Sequence, residues 1–213
     1  MKRLKLGLLL ITAAFCVCSA ANAQLQPSTV PSAVQSHYKP MPRIAVKDVE
    51  KCRRIWKGIS PDERDQNSRF QAFNAKTPLI NVLIQGVNEG KIKAYADGVP
   101  LYTTPLTSEE FAAVTKKISG NKNIKYVVKE DSLILKTGEV TSFMLGLSVV
   151  VSTTAADGTV KDETLFCLFY PDCRNYLAET PVIGNDTWYD IFEQHAYTAK
   201  VEKVSTDSWL NKG

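Results

Sequence analysis

Apolar residues recur at helical spacing through much of the first half of this chain and at strand spacing through most of the second. Val49, Cys52, Ile55, Trp56 and Ile59 return every three or four positions, the stripe that an amphipathic helix turns toward a core, so the pattern predicts a helix over 46–59 with Cys52 inward. Ser60-Pro61-Asp62 ends it, and a polar loop follows in which Phe70 and Phe73 tuck back. Thr77-Pro78 then opens a second helix, with Thr77 as cap and Pro78 at the first helical position, where a missing N–H costs nothing. Leu79, Ile80, Leu83, Ile84 and Val87 form its buried face, and Gly90 closes it. Thr107-Ser108-Glu109-Glu110 is a capping box, a hydroxyl and a carboxylate each satisfying one free amide at a helix start. The third helix turns Phe111, Val114 and Ile118 inward and stops before Gly120.

Lys91–Tyr95 and Val99–Thr103 flank Asp97-Gly98, a pair suited to positive φ angles, which predicts a small hairpin. Ile124, Tyr126 and Val128 alternate with Lys125, Val127 and Lys129, a strand with one mainly polar face. The longest strand pair surrounds Asp157-Gly158. A two-residue turn there sets Val150 opposite Leu165, Val149 opposite Phe166, Leu147 opposite Leu168 and Leu145 opposite Tyr170. On the other side Gly146 falls opposite Phe169, whose ring covers the missing side chain, and Ser148 opposite Cys167. With both faces largely apolar, this is a central hairpin. Pro171 stops its second strand, and a short helical turn over 172–178 begins near Cys173. Asn185-Asp186-Thr187 caps a last helix with Trp188, Ile191 and Phe192 inward; His195, near the same face, is read as a partly buried histidine bonded to the backbone. Tyr197, Ala199 and Val201 alternate in a final strand. The expected fold class is α+β, with N-terminal helices packed on a mainly antiparallel sheet that has a central apolar hairpin.

Composition narrows the class further. The chain has 213 residues, 44% apolar and 23% charged, the balance of one globular domain. Met1–Ala23 has a basic start, an apolar run from Leu6 to Val17 and the small-residue signal Ala21-Asn22-Ala23, which together predict a cleavable secretory signal peptide. Its run is too short to cross a bilayer. Residues 24–45, with Pro27, Pro31, Pro40 and Pro42, form an extended arm; 46–205 form a single α+β domain and 206–213 a polar tail. The full count is 26 Lys and Arg against 22 Asp and Glu, but Lys2, Arg3 and Lys5 belong to the signal, so the mature chain is almost balanced. Without a basic run, nucleic acid is not an expected partner.

Export places Cys52, Cys167 and Cys173 in an oxidising compartment as disulfide candidates. Cys52 on an inward face and Cys167 on a central strand are the expected internal pair, with Cys173 exposed beyond Pro171. His37 and His195 are the only histidines and no zinc-type spacing links them to the cysteines, so no metal or other cofactor is expected. No G-x-S-x-G elbow or glycine-rich phosphate loop occurs. The acidic pairs Glu109-Glu110, Glu130-Asp131 and Asp162-Glu163 read as a helix cap and as solvated strand ends. No catalytic residue is assigned, and an enzyme is the minority reading.

The order of landmarks resembles the GldN/PorN proteins of gliding motility and type IX secretion in Bacteroidota. The resemblance runs from Asp48-Val49 and Arg53-Arg54-Ile55-Trp56 through Leu79–Val87, Gly90-Lys91-Ile92, Thr103–Thr107 and Lys129-Glu130-Asp131. It continues through Gly146-Leu147, Leu165–Asp172 with Arg174, and Thr187-Trp188-Tyr189-Asp190 with Phe192-Glu193. It implies an exported, periplasmic, non-enzymatic subunit that self-associates in a ring under the outer membrane with a lipoprotein of the GldK/PorK type. A second implied contact is the periplasmic part of the inner-membrane motor, a protein of the GldM/PorM type. Because aromatics are enriched at contact centres, Tyr102, Trp188, Tyr189 and Trp209 are the partner-contact candidates. The alternative is a periplasmic binding module for a small apolar ligand or an extended peptide.

Overall fold

In the computed structural model, residues 43–60, 78–96, 102–118, 123–183 and 185–205 are described. The first expected helix is instead a strand. A single 3-10 turn, Val46–Asp48, leads into β1, Val49–Ile59, eleven residues long. Its apolar spacing fits a helix, but the segment pairs along its whole length with β3, Ile124–Leu135, and the cross-strand partner decides the outcome over local spacing. As a strand, β1 sends Arg54, Trp56 and Gly58 to one face and Ile55, Lys57 and Ile59 to the other.

The main sheet has the order β2-β5-β4-β3-β1-β8, every pairing antiparallel. Its other members are β2 (Ala94–Tyr95), β4 (Val140–Thr154), β5 (Val160–Phe169) and β8 (Lys200–Ser205). The four helices are α1 (Leu79–Asn88), α2 (Ser108–Lys116), α3 (Tyr170–Ala178) and α4 (Trp188–Glu193). A separate two-stranded ribbon joins β6 (Pro181–Ile183) to β7 (Asp186–Thr187). The fold is therefore α+β and mostly antiparallel, as the pattern predicts, with one fewer helix at its start.

The helices all contribute to one core. Leu79 and Leu83 of α1, Phe111 of α2, Leu177 of α3 and Trp188 of α4 join Tyr126, Val128, Leu147, Val149, Phe166 and Leu168 in a single apolar cluster. Those strand residues are spaced by two, so they share one sheet face, and all four helices cover that face. On the opposite face Cys52 and Leu133 form a smaller cluster with Val49, Ile44 and Phe143.

Local chemistry behaves largely as expected. In α2 both bonds of the Thr107–Glu110 capping box are made, at 3.2 and 2.8 Å. At the start of α1, Pro78 occupies the capping slot and not the first helical position; Thr77 lies outside the described residues. Ala94–Tyr95 pairs with Leu168 and Cys167 of β5 and bridges through Tyr95 to Pro105, while residues 97–101 of the predicted hairpin lie outside the described residues. In the β4–β5 ribbon the expected register holds at Gly146–Phe169, Leu147–Leu168, Ser148–Cys167 and Val149–Phe166. Beyond Val149 it slips by one, with Val150 opposite Thr164, because the turn uses three residues: Ala155 N donates to Thr159 O at 2.8 Å and Gly158 sits at φ 81°. Tyr170 starts α3 and does not pair with Leu145.

The cysteine expectations fail for geometric reasons. Cys52, Cys167 and Cys173 are all buried, and none of them is in a disulfide. β1 and β5 are separated by β3 and β4, which places them about 14 Å apart at ~4.8 Å per strand, whereas a disulfide needs Cα atoms within ~7 Å. Cys173 is not exposed: it packs in the main core, its thiol donates to Phe169 O at 3.3 Å, and burial pushes its pKa up to about 12.

Candidate functional site

Glu130 and Asp131 lie in mid-strand on β3, 2% and 1% exposed, not at a solvated strand end as their sequence suggests. Asp131 takes a two-pronged grip from Arg54 directly opposite on β1, Nε to Oδ1 at 2.6 Å and Nη2 to Oδ2 at 2.8 Å. The bond to Asp131 raises the pKa of Arg54 against the opposing effect of burial. Glu130 points to the helix-covered face. There Lys57 Nζ donates to Oε2 at 2.5 Å, His195 Nε2 lies 3.1 Å from Oε1, and the Tyr197 hydroxyl donates to Oε1 at 3.4 Å. Burial alone would push the Glu130 pKa up, but the bonds from His195 and Lys57 outweigh it and hold the carboxyl below its ordinary value. The same bond raises the His195 pKa. His195, half-exposed and at φ 50°, therefore bonds to a carboxylate rather than to the backbone its sequence context suggests. Both acids serve to clamp β1 onto β3. Removing one partner of such a buried pair costs about 3–5 kcal/mol, since the charge left behind has no compensation.

On the face away from the helices, one row of side chains runs across five strands. Trp56 of β1 is opposite Lys129 of β3 on one side and Lys203 of β8 on the other. Lys129 is opposite Gly146 of β4, and Gly146 is opposite Phe169 of β5. Above Gly146 lies Tyr102, not the Phe169 ring; a Cβ added at Gly146 would meet the Tyr102 hydroxyl at 2.1 Å, so only glycine fits. Tyr102 packs against Phe169 and Tyr95, each at 5.4 Å between ring centroids. Lys129 Nζ sits 5.1 Å from the Tyr102 ring centre and 5.9 Å from that of Trp56, and Lys203 Nζ 4.8 Å from that of Trp56. The row thus reads Lys203, Trp56, Lys129, Tyr102, Phe169, cation and ring alternating until the last two. Each ammonium–ring contact of this kind is worth about 0.5–2 kcal/mol depending on exposure.

Tyr102 is unusual in two respects. Its φ of 52° is left-handed, a region that bulky side chains rarely adopt, and its buried hydroxyl has no hydrogen-bond partner among the described residues. Burial pushes its pKa up.

Of the described aromatic contact candidates, Tyr102 is the one at a partly open surface. Trp188 and Tyr189 are core residues, 0% and 1% exposed. Trp188 packs at 6.4 Å on Phe192, and Tyr189 accepts a bond of 3.3 Å from Arg174, whose guanidinium also pairs with Glu193 at 3.1 Å. Both sit on the short α4, within the main apolar cluster. Trp209 lies outside the described residues. The sequence pattern alone does not single out Trp56, Lys129 and Lys203, because helical spacing places Trp56 in a buried stripe. A period-two reading of Cys52, Arg54, Trp56 and Gly58 was the available signal.

A family model described as "Gliding motility associated protein GldN" matches residues 44–208, which includes every strand of the main sheet from β1 to β8. No curated protein matches the chain.

Proposed function

Since the chain belongs to the GldN family of gliding-motility-associated proteins, we propose that it is a non-enzymatic structural subunit of the type IX secretion and gliding machinery. In this reading the signal 1–23 exports it to the periplasm, and it joins an outer-membrane lipoprotein of the GldK/PorK type in a ring beneath the outer membrane. It also meets the periplasmic part of an inner-membrane motor protein of the GldM/PorM type. The observation that carries the reading is the family match over residues 44–208. Supporting it, the buried Glu130 and Asp131 and the described histidine are engaged in clamping the sheet. A closed ring needs two different surfaces on each subunit that meet on neighbours, plus a third for the lipoprotein.

The test is assembly. Residues 24–213 expressed together with the candidate lipoprotein should co-purify with it in fixed ratio and give annular particles by electron microscopy. A chain that stays solitary beside that lipoprotein overturns the reading.

A further inference from the structure

We propose that the row Lys203–Trp56–Lys129 is a docking surface for an acidic segment of another protein. The inference deepens the scaffold reading, and rests on it, by naming the chemistry of a partner. Trp56 is half-buried on the sheet face opposite the four helices, with ammonium groups on both flanks, 4.8 Å away for Lys203 and 5.9 Å for Lys129.

Other cations of this protein also rest on rings, but they are neutralised. Lys91, 5.3 Å from the Tyr176 ring centre, pairs with Glu89 at 2.8 Å, and Arg174, 5.3 Å from that of Tyr189, pairs with Glu193 at 3.1 Å. Lys203 differs. It is exposed on the edge strand β8, and among the described residues no carboxylate lies within ion-pair distance of it. A ring quadrupole attracts an ammonium without cancelling its charge. Neighbouring cations on the same face are already occupied, Arg54 by Asp131 and Lys125 by Asp162 and Glu202. The Lys203 charge therefore stands, without an ion-pair partner among the described residues, beside a flat indole. A glutamate laid over Trp56 packs its methylenes on the ring and accepts a hydrogen bond from Lys203, which combines an aromatic anchor with charge complementarity.

Tyr102 shows that the row is held in place at a cost. Its left-handed backbone and orphan hydroxyl both work against stability, yet they set a second ring against Lys129 on the side away from Trp56. A second copy is a poor occupant, because it brings the same lysines to the contact.

Anisotropy of a labelled poly-L-glutamate peptide titrated with residues 24–213 tests the proposal. Saturable binding that weakens with salt is expected, and it should fall about tenfold or more in Lys203→Glu and in Trp56→Leu while Lys91→Glu leaves it unchanged. Lys203 is exposed on an edge strand, so its reversal keeps the fold, which coincident thermal unfolding curves verify. The proposal is overturned if the wild-type chain does not bind, or if both variants bind as it does. It is equally overturned if an oligonucleotide of matched charge binds as tightly, if an uncharged chitooligosaccharide binds through Trp56 without salt dependence, or if Lys203→Glu abolishes self-association. A lipoprotein ring that survives both variants removes this inference alone, whereas peptide binding with no ring removes the scaffold reading alone.

Discussion

Glu130 and Asp131 are adjacent in the chain, yet their carboxylates stand on opposite faces of one sheet, each gripped by a cation of β1. Two neighbouring charges thus fasten the same pair of strands from both sides. Arg54→Met should destabilise the protein by about 3–5 kcal/mol in urea unfolding, because Asp131 would stay buried without its partner. Adding Asp131→Leu should recover much of that loss. Additive single effects would show that the pair is not coupled.

The Glu130 contact makes stability depend on pH. The His195 pKa is raised above its ordinary 6.5, chiefly by the bond to Glu130 and against burial and the nearby Lys57 charge. A group whose folded pKa is raised contributes stability that is complete below about 6.5 and is lost as pH climbs through the higher folded value. Glu130, held below its ordinary 4.5, contributes on the acid side, a stability present above that value and lost as pH falls through its lowered pKa. Chemical unfolding followed from neutral to mildly alkaline pH should therefore show a decline that His195→Gln removes. A wild-type curve as flat as the variant's would refute the linkage.

Gly146→Ala should cost about 1–3 kcal/mol, because the added methyl collides with the Tyr102 hydroxyl. Tyr102→Phe removes an unpartnered buried hydroxyl and is expected to be neutral or stabilising by itself. In the double variant the added methyl still lies 3.2 Å from the ring carbon that bore the hydroxyl, so relief should be partial. Thermal unfolding of the four proteins decides the matter; full additivity would mean that the two residues do not touch.

Thiol chemistry checks the cysteine geometry. With all three thiols buried, and that of Cys173 raised to about 12, alkylation of the native protein should be slow at mildly alkaline pH and complete once guanidinium unfolds it. Mass mapping without reductant should find no disulfide among Cys52, Cys167 and Cys173; a Cys52–Cys167 bridge would contradict the strand order.

Much of this fold is legible where the signal is local. The Thr107–Glu110 box and the near half of the β4–β5 register depend on residues a few positions apart or on one turn, and both are found as expected. The misreadings share a different cause. β1 carries a helical spacing, and only its partner strands β3 and β8, far along the chain, make it a strand. Glu130-Asp131 looks like a polar strand end for the same reason: the cations that allow its burial lie 73 and 77 positions earlier. The cation–ring row was hidden by the same mistake, since Trp56 meets Lys129 and Lys203 only when β1 is extended. Tyr102 drew notice as an aromatic, but neither its left-handed backbone nor its seat over Gly146 leaves a mark in the sequence.

Placing every described helix against one side of the sheet gives the molecule a back and a front. The back is sealed by the protein's own greasy interior and needs no neighbour to be complete. Construction can then proceed in order, each block setting hard before it is laid, and whatever it joins can come and go without disturbing its heart.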